Sequence, residues 1–134
     1  MNEIYCKKKE KLLATIYRKD LKVNGVRFLT DNRCTLQVGK IAHNGKKIIK
    51  PHKHPHIKHK VNRTLEFFYV EKGSVEADIY DDDWNLVCTE LLSRGDIMIY
   101  HGGGHGFRFK KGAKVIEVKQ GPYPGDDKAK QFKD

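Results

Sequence analysis

Six of the seven histidines of this 134-residue chain fall into two clusters, and their spacing carries more chemical information than any other feature. The first cluster is Pro51-His52-Lys53-His54-Pro55-His56-Ile57-Lys58-His59, and the second is Tyr100-His101-Gly102-Gly103-Gly104-His105-Gly106-Phe107. Between them a carboxylate opens an apolar run, Glu66-Phe67-Phe68-Tyr69-Val70. Neutral imidazoles and a carboxylate are borderline ligands accepted by Fe²⁺, Mn²⁺, Ni²⁺ and Zn²⁺. Ligand type alone does not choose among those four.

Geometry narrows the histidines. Residues i and i+2 of an extended strand share a face. A strand over residues 48–54 would therefore send His52 and His54 one way and Lys53 the other. Glu66 begins the next apolar strand, and His105 follows three glycines that let the backbone approach closely. His52, His54, Glu66 and His105 form the expected ligand set, with His56 as an alternate if the pairing slips by two residues. A buried unpaired carboxylate beside Phe67 and Phe68 would be costly, which favours ligation by Glu66. His56 and His59 otherwise fall in a loop. Tyr69, Tyr100 and His101 are the candidate catalytic groups, as proton donors or pocket-lining residues. Spacing suggests no Ser/His/Asp or Cys/His pair, and no phosphate loop ending in Lys-Ser or Lys-Thr occurs.

The elements that must position these residues read as short strands. Leu12–Tyr17 is an apolar run after a polar lead-in over residues 1–11, and Asn24-Gly25 and Asn44-Gly45 are tight-turn signals. Val26–Leu29, Cys34–Ala42, Lys46–Pro51, Trp84–Leu92, Gly95–Tyr100, Phe107–Lys110 and Val115–Lys119 are further expected strands. Leu65–Glu71 and Ser74–Tyr80 read as a hairpin about Lys72-Gly73, the second alternating Val75, Ala77 and Ile79 against polar neighbours. Asp81-Asp82-Asp83 lacks the alternating spacing of a calcium loop and reads as a solvated turn. Many short strands at intervals of roughly 8–12 residues imply an all-β sandwich or small barrel.

Composition bounds the rest. The length is that of one domain. No stretch reaches the ~18–20 apolar residues of a membrane span, and the first residues lack the apolar segment of a secretory signal. Cys6, Cys34 and Cys88 are odd in number and form no CxxC pair, which fits a reducing cytosol. A cytoplasmic protein without a membrane partner is expected. Twenty-seven Lys and Arg against 17 Asp and Glu give a net charge of +10. These cations spread along most of the chain, with concentrations at Lys7–Lys11, Lys46–Lys60 and Lys110–Lys119. They read as a solubilising surface first, then as attraction for a phosphorylated metabolite, and last as a nucleic-acid surface.

His52-Lys53-His54 with Glu66 and Gly73 resembles the first motif of the cupins, and Gly95 with the glycines and His105 resembles the second. Eleven residues separate His54 from Glu66, where the common cupin pattern has three or four, and His101 stands where the second motif usually has proline. The chain is similar to a small cupin group of unassigned reaction, often associated with surface-polysaccharide biosynthesis. That likeness rests on Leu36-Gln37-Val38-Gly39, Thr64 before Glu66, Gly103-Gly104-His105-Gly106-Phe107, and Glu117-Val118-Lys119-Gln120-Gly121-Pro122-Tyr123.

The resemblance implies a single cupin domain over 1–134: an N-terminal strand or arm over 1–25, a double-stranded β-helix (jelly-roll) barrel over 26–120, and a C-terminal tail over 121–134. It also implies a homodimer and a divalent metal acting with a small anionic ligand such as a sugar or sugar-nucleotide derivative. The enzyme form of this reading is a metal-dependent isomerase or epimerase, which needs a base beside the metal, or an oxygenase, which needs redox-active iron. The alternative is a non-catalytic binding or sensor module, with a basic nucleic-acid-associated protein as third choice.

Overall fold

The computed structural model describes residues 2–8 and 10–134. Among the described residues, ten strands and one four-residue helix, Asp126–Ala129, make up the regular structure. Among the described residues no helix is long and apolar enough to cross a membrane. Two compact units divide the chain: Met1–Asp20 with Thr64–Asp134, and Leu21–Arg63.

The larger unit holds two antiparallel sheets. Strands β1 (Asn2–Cys6), β2 (Lys11–Tyr17), β5 (Glu66–Lys72), β8 (Ile97–Tyr100) and β10 (Lys114–Lys119) form the first, in the order β1-β2-β8-β5-β10. Strands β6 (Ser74–Tyr80), β7 (Leu86–Ser93) and β9 (Gly104–Phe109) form the second, in the order β7-β6-β9. The fold is thus all-β and antiparallel, but the sheets do not join into a closed barrel. Ile16, Met98, Phe68 and Val70 from the first sheet share one core with Val75, Ala77, Ile79 and Leu92 from the second. The alternation of Val75, Ala77 and Ile79 gave the face of β6 correctly, because one side of that strand is covered by the core.

Three expectations are corrected. Leu65–Glu71 and Ser74–Tyr80 are not a hairpin: β5 pairs with β8 and β10, while β6 pairs with β7 and β9. Gly73 (φ +69) is a corner that passes the chain from one sheet to the other, and a Cβ there would lie 3.1 Å from Ala113 Cα. A Lys-Gly link fits a hairpin and a corner equally well. The apolar residues on both faces of Glu66-Phe67-Phe68-Tyr69-Val70 are what mark a central strand.

The second correction concerns the polar lead-in expected over residues 1–11, where Asn2–Cys6 instead form β1. Ile4 and Cys6 are buried in the shared core, and β2 lies between β1 and β8 with Leu13 and Ile16 fully buried. Only two apolar side chains of β1 face the core, and the lysines after them hide that short pattern.

The third lies in the smaller unit, where only β3 (Gly25–Phe28) and β4 (Gly39–Ala42) pair. The expected strand over Cys34–Ala42 shortens to its last four residues because side chains claim the preceding backbone. Val38 N donates to Thr30 Oγ1 (3.0 Å), and Gln37 Nε2 donates to Asp31 O (2.8 Å) and Cys34 O (2.7 Å). No strand forms over Lys46–Pro51 or over 48–54; residues 43–65 carry neither strand nor helix. Pro51 and Pro55 lack the N–H that a ladder needs, and neighbouring lysines repel across any pairing.

On β6 and β9, Arg108 reaches Asp78 with both terminal nitrogens, and Nε donates to Glu76 Oε2 at 3.0 Å. Thr89 Oγ1 donates to Asp78 Oδ1 at 2.6 Å. The guanidinium first, and then the hydroxyl, hold the Asp78 carboxyl below its usual range although burial opposes this. A carboxylate depressed in the folded state stabilises above its unfolded pKa and loses that effect as pH falls through the folded value. Asp78→Asn is expected to lose about 1 kcal/mol near pH 7. Its deficit should shrink between roughly pH 4 and pH 2, as followed by urea unfolding. A deficit constant over that window would reject the assignment.

Candidate functional site

Glu66 opens β5 with its side chain 10% exposed, and across the ladders it faces Tyr100 on β8 and Lys119 on β10. From the other sheet, β9 brings in His105, opposite Ile79. His105 Nε2 and Glu66 Oε2 stand 3.1 Å apart. Three rings surround the imidazole: Tyr100 at 4.5 Å between centroids, Phe68 at 5.4 Å and Phe107 at 5.7 Å. Such packing fixes the orientation of the imidazole while leaving its side chain 22% exposed.

The turn from β8 to β9 sets this geometry. Gly103 has φ +74, and a Cβ there would lie 2.2 Å from Tyr80 O and 2.9 Å from Leu13 Cδ2. Only glycine passes through that gap. Tyr100 Oη donates to Gly103 O at 2.6 Å, so one residue of the site pins the turn that delivers another.

Burial pushes the Glu66 carboxyl up. The hydrogen bond and charge of His105, the contact with Glu117 and the charge of Lys119 outweigh it, and the net effect keeps Glu66 ionised below the usual carboxylate range. Lys119 Nζ lies 3.3 Å from Glu117 Oε1 and 5.1 Å from the centre of the Tyr123 ring. Sequence reasoning assigned no role to Glu117, Lys119, Phe68 or Phe107. The signal was the i, i+2 relation of Glu117 and Lys119, which puts both on one face of β10.

The candidate catalytic groups separate. Tyr100 lies beside the Glu66–His105 pair, whereas its neighbour His101 belongs to the opposite face. His101 Nε2 meets Thr15 Oγ1 at 3.1 Å, and Thr15 alternates with the core-facing Ala14 and Ile16. Tyr69 likewise alternates with Phe68 and Val70, away from the pair.

His52, His54, His56 and His59 are exposed within the irregular segment of the smaller unit. The strand expected to align His52 and His54 is absent, yet their rings stand 5.1 Å apart in a T-shaped contact. His52 Nδ1 is 2.8 Å from Lys50 O. A proton on Nδ1 satisfies that carbonyl and leaves the Nε2 lone pair for other use.

Among the described residues no three or more His, Cys, Asp and Glu side chains gather as a metal-holding group. Glu66 and His105 are therefore two convergent donors and not a completed cage. In comparisons with known proteins the chain matches no family model, no curated protein and no solved structure.

Proposed function

We propose that this chain is a cupin-like protein that holds a divalent metal ion and binds a small anionic metabolite, a sugar derivative foremost. The observation that carries the reading is the Glu66–His105 pair: an ionised carboxylate and an imidazole nitrogen 3.1 Å apart, walled by Tyr100, Phe68 and Phe107. The donors fit a borderline ion such as Fe²⁺, Mn²⁺, Ni²⁺ or Zn²⁺. The His-Lys-His pattern makes His52 and His54 further candidate donors on the sequence alone, each to be tested separately by substitution.

A bound ion would supply Lewis acidity towards a ligand oxygen. The protein's own contribution is orientation and charge. The aromatic wall limits water around His105, and Tyr100 Oη holds the turn. Lys119, carried on the same strand as Glu117, places a cation beside the site for the ligand's negative group.

Elemental analysis of protein purified without a histidine tag or chelating resin, followed by calorimetric titration with Zn²⁺ and Mn²⁺, tests the reading. About one ion per chain is expected. Less than about 0.2 ion per chain with no uptake on titration would reject metal binding.

A further inference from the structure

We infer that residues 43–63 are a membrane-surface docking segment that adsorbs to anionic bilayers through lysines and exposed isoleucines. The cations of this chain are not evenly spread. Lys46, Lys47, Lys50, Lys53, Lys58, Lys60 and Arg63 are seven of the 27 basic residues, and none of the 17 acids falls between His43 and Arg63. These 21 residues carry +7 of the net +10, leaving +3 for the other 113. Every one of the 21 is exposed, and none belongs to a strand or helix. Irregular segments longer than about 12–15 residues are uncommon in compact domains and often carry function.

The partner follows from what accompanies the charge. At full extension Lys46 to Arg63 would span up to about 60 Å, so a small metabolite could meet only a few of these cations. The partner is a polyanion. A single-stranded nucleic acid is usually gripped by aromatic stacking as well as charge, and residues 43–63 contain no Phe, Tyr or Trp. They present Ile48 (87% exposed), Ile49, Ile57 and Val61 among the lysines. Phosphate backbones offer nothing to such aliphatic side chains. The boundary between headgroups and acyl chains does, and clustered Lys and Arg are drawn to anionic headgroups above it. Surface adsorption needs no spanning helix. The inference rests on the lysines and isoleucines and stands independently of the metal reading.

Co-sedimentation of the full chain with vesicles of phosphatidylcholine alone, or with 30% phosphatidylserine, tests it at one fixed pH. Binding is expected only to the phosphatidylserine vesicles and should weaken as KCl rises from 0.1 to 0.5 M. Gln at Lys46, Lys47, Lys58 and Lys60 together should cut partitioning at least about 100-fold. The pair Ile48→Ser and Ile49→Ser should cut it about tenfold. Circular dichroism confirms that both variants keep the parent strand content. Failure to bind the anionic vesicles overturns the proposal, as does binding that ignores the isoleucine changes. Duplex or single-stranded DNA bound more tightly than vesicles, with only the lysines mattering, would identify nucleic acid as the partner instead.

Discussion

Gly103→Ala is expected to lower the unfolding free energy by about 3 kcal/mol or more. Two costs add at this position. The φ of +74 puts alanine in the left-handed region, worth roughly 1 kcal/mol or more. The added methyl would also sit 2.2 Å from Tyr80 O, which belongs to the backbone and cannot rotate away. Tyr80 is held in the β6–β9 ladder, where it pairs with Gly104, so yielding would disturb that register. Leu13 Cδ2, 2.9 Å from the same point, closes the other side. Because Tyr100 Oη donates to Gly103 O, a displaced turn would also loosen Tyr100 and the His105 ring against it. Gly106→Ala is the matched control: its Cβ meets nothing within 4 Å, and it should change stability by under about 1 kcal/mol. Urea midpoints with unchanged slope measure both. Equal effects from the two substitutions would show that the turn is not confined as described.

The sequence disclosed the all-β class through alternation such as that of Val75, Ala77 and Ile79, all of which are buried. It was less informative where both faces of a strand carry apolar residues or where a strand contributes only two. β5 looked like half of a hairpin for the first reason, and β1 like a polar lead-in for the second. Sheet membership is a property of partners distant in sequence: Glu66 meets Tyr100 and Lys119 in the ladders, and no local pattern announces either. Of the candidate site, Glu66 and His105 were legible from residue type and from the glycines before His105. Phe68, Phe107 and Lys119 were not, since an aromatic or a lysine on a strand has many commoner uses. Tyr100 ends β8 and His101 follows it, so the fold rather than a strand pattern separates the two.

Glu66→Gln is expected to weaken metal binding at least about 100-fold while leaving the metal-free protein within about 1 kcal/mol of the parent. The amide keeps the size of the carboxylate and can still hydrogen-bond His105, so the aromatic wall around the imidazole should survive. What disappears is the negative charge, which His105 and Lys119 now hold in its ionised form. In the metal-free protein the 3.1 Å contact is a hydrogen bond with a proton between Nε2 and Oε2. Coordination by Nε2 requires its lone pair, so the neutral ring would carry its proton on Nδ1 instead. Thermal shifts with and without Zn²⁺ separate the effects. An ion at a concentration 100 times its Kd stabilises by about 2.7 kcal/mol, and that increment should vanish in Glu66→Gln and in His105→Gln. His52→Ala and His54→Ala test the two exposed donors by the same readout without touching the core. Loss of the increment in all four variants supports the four-residue set. Loss only in the first two confines the ion to the Glu66–His105 pair, and an undiminished increment in Glu66→Gln places the ion elsewhere.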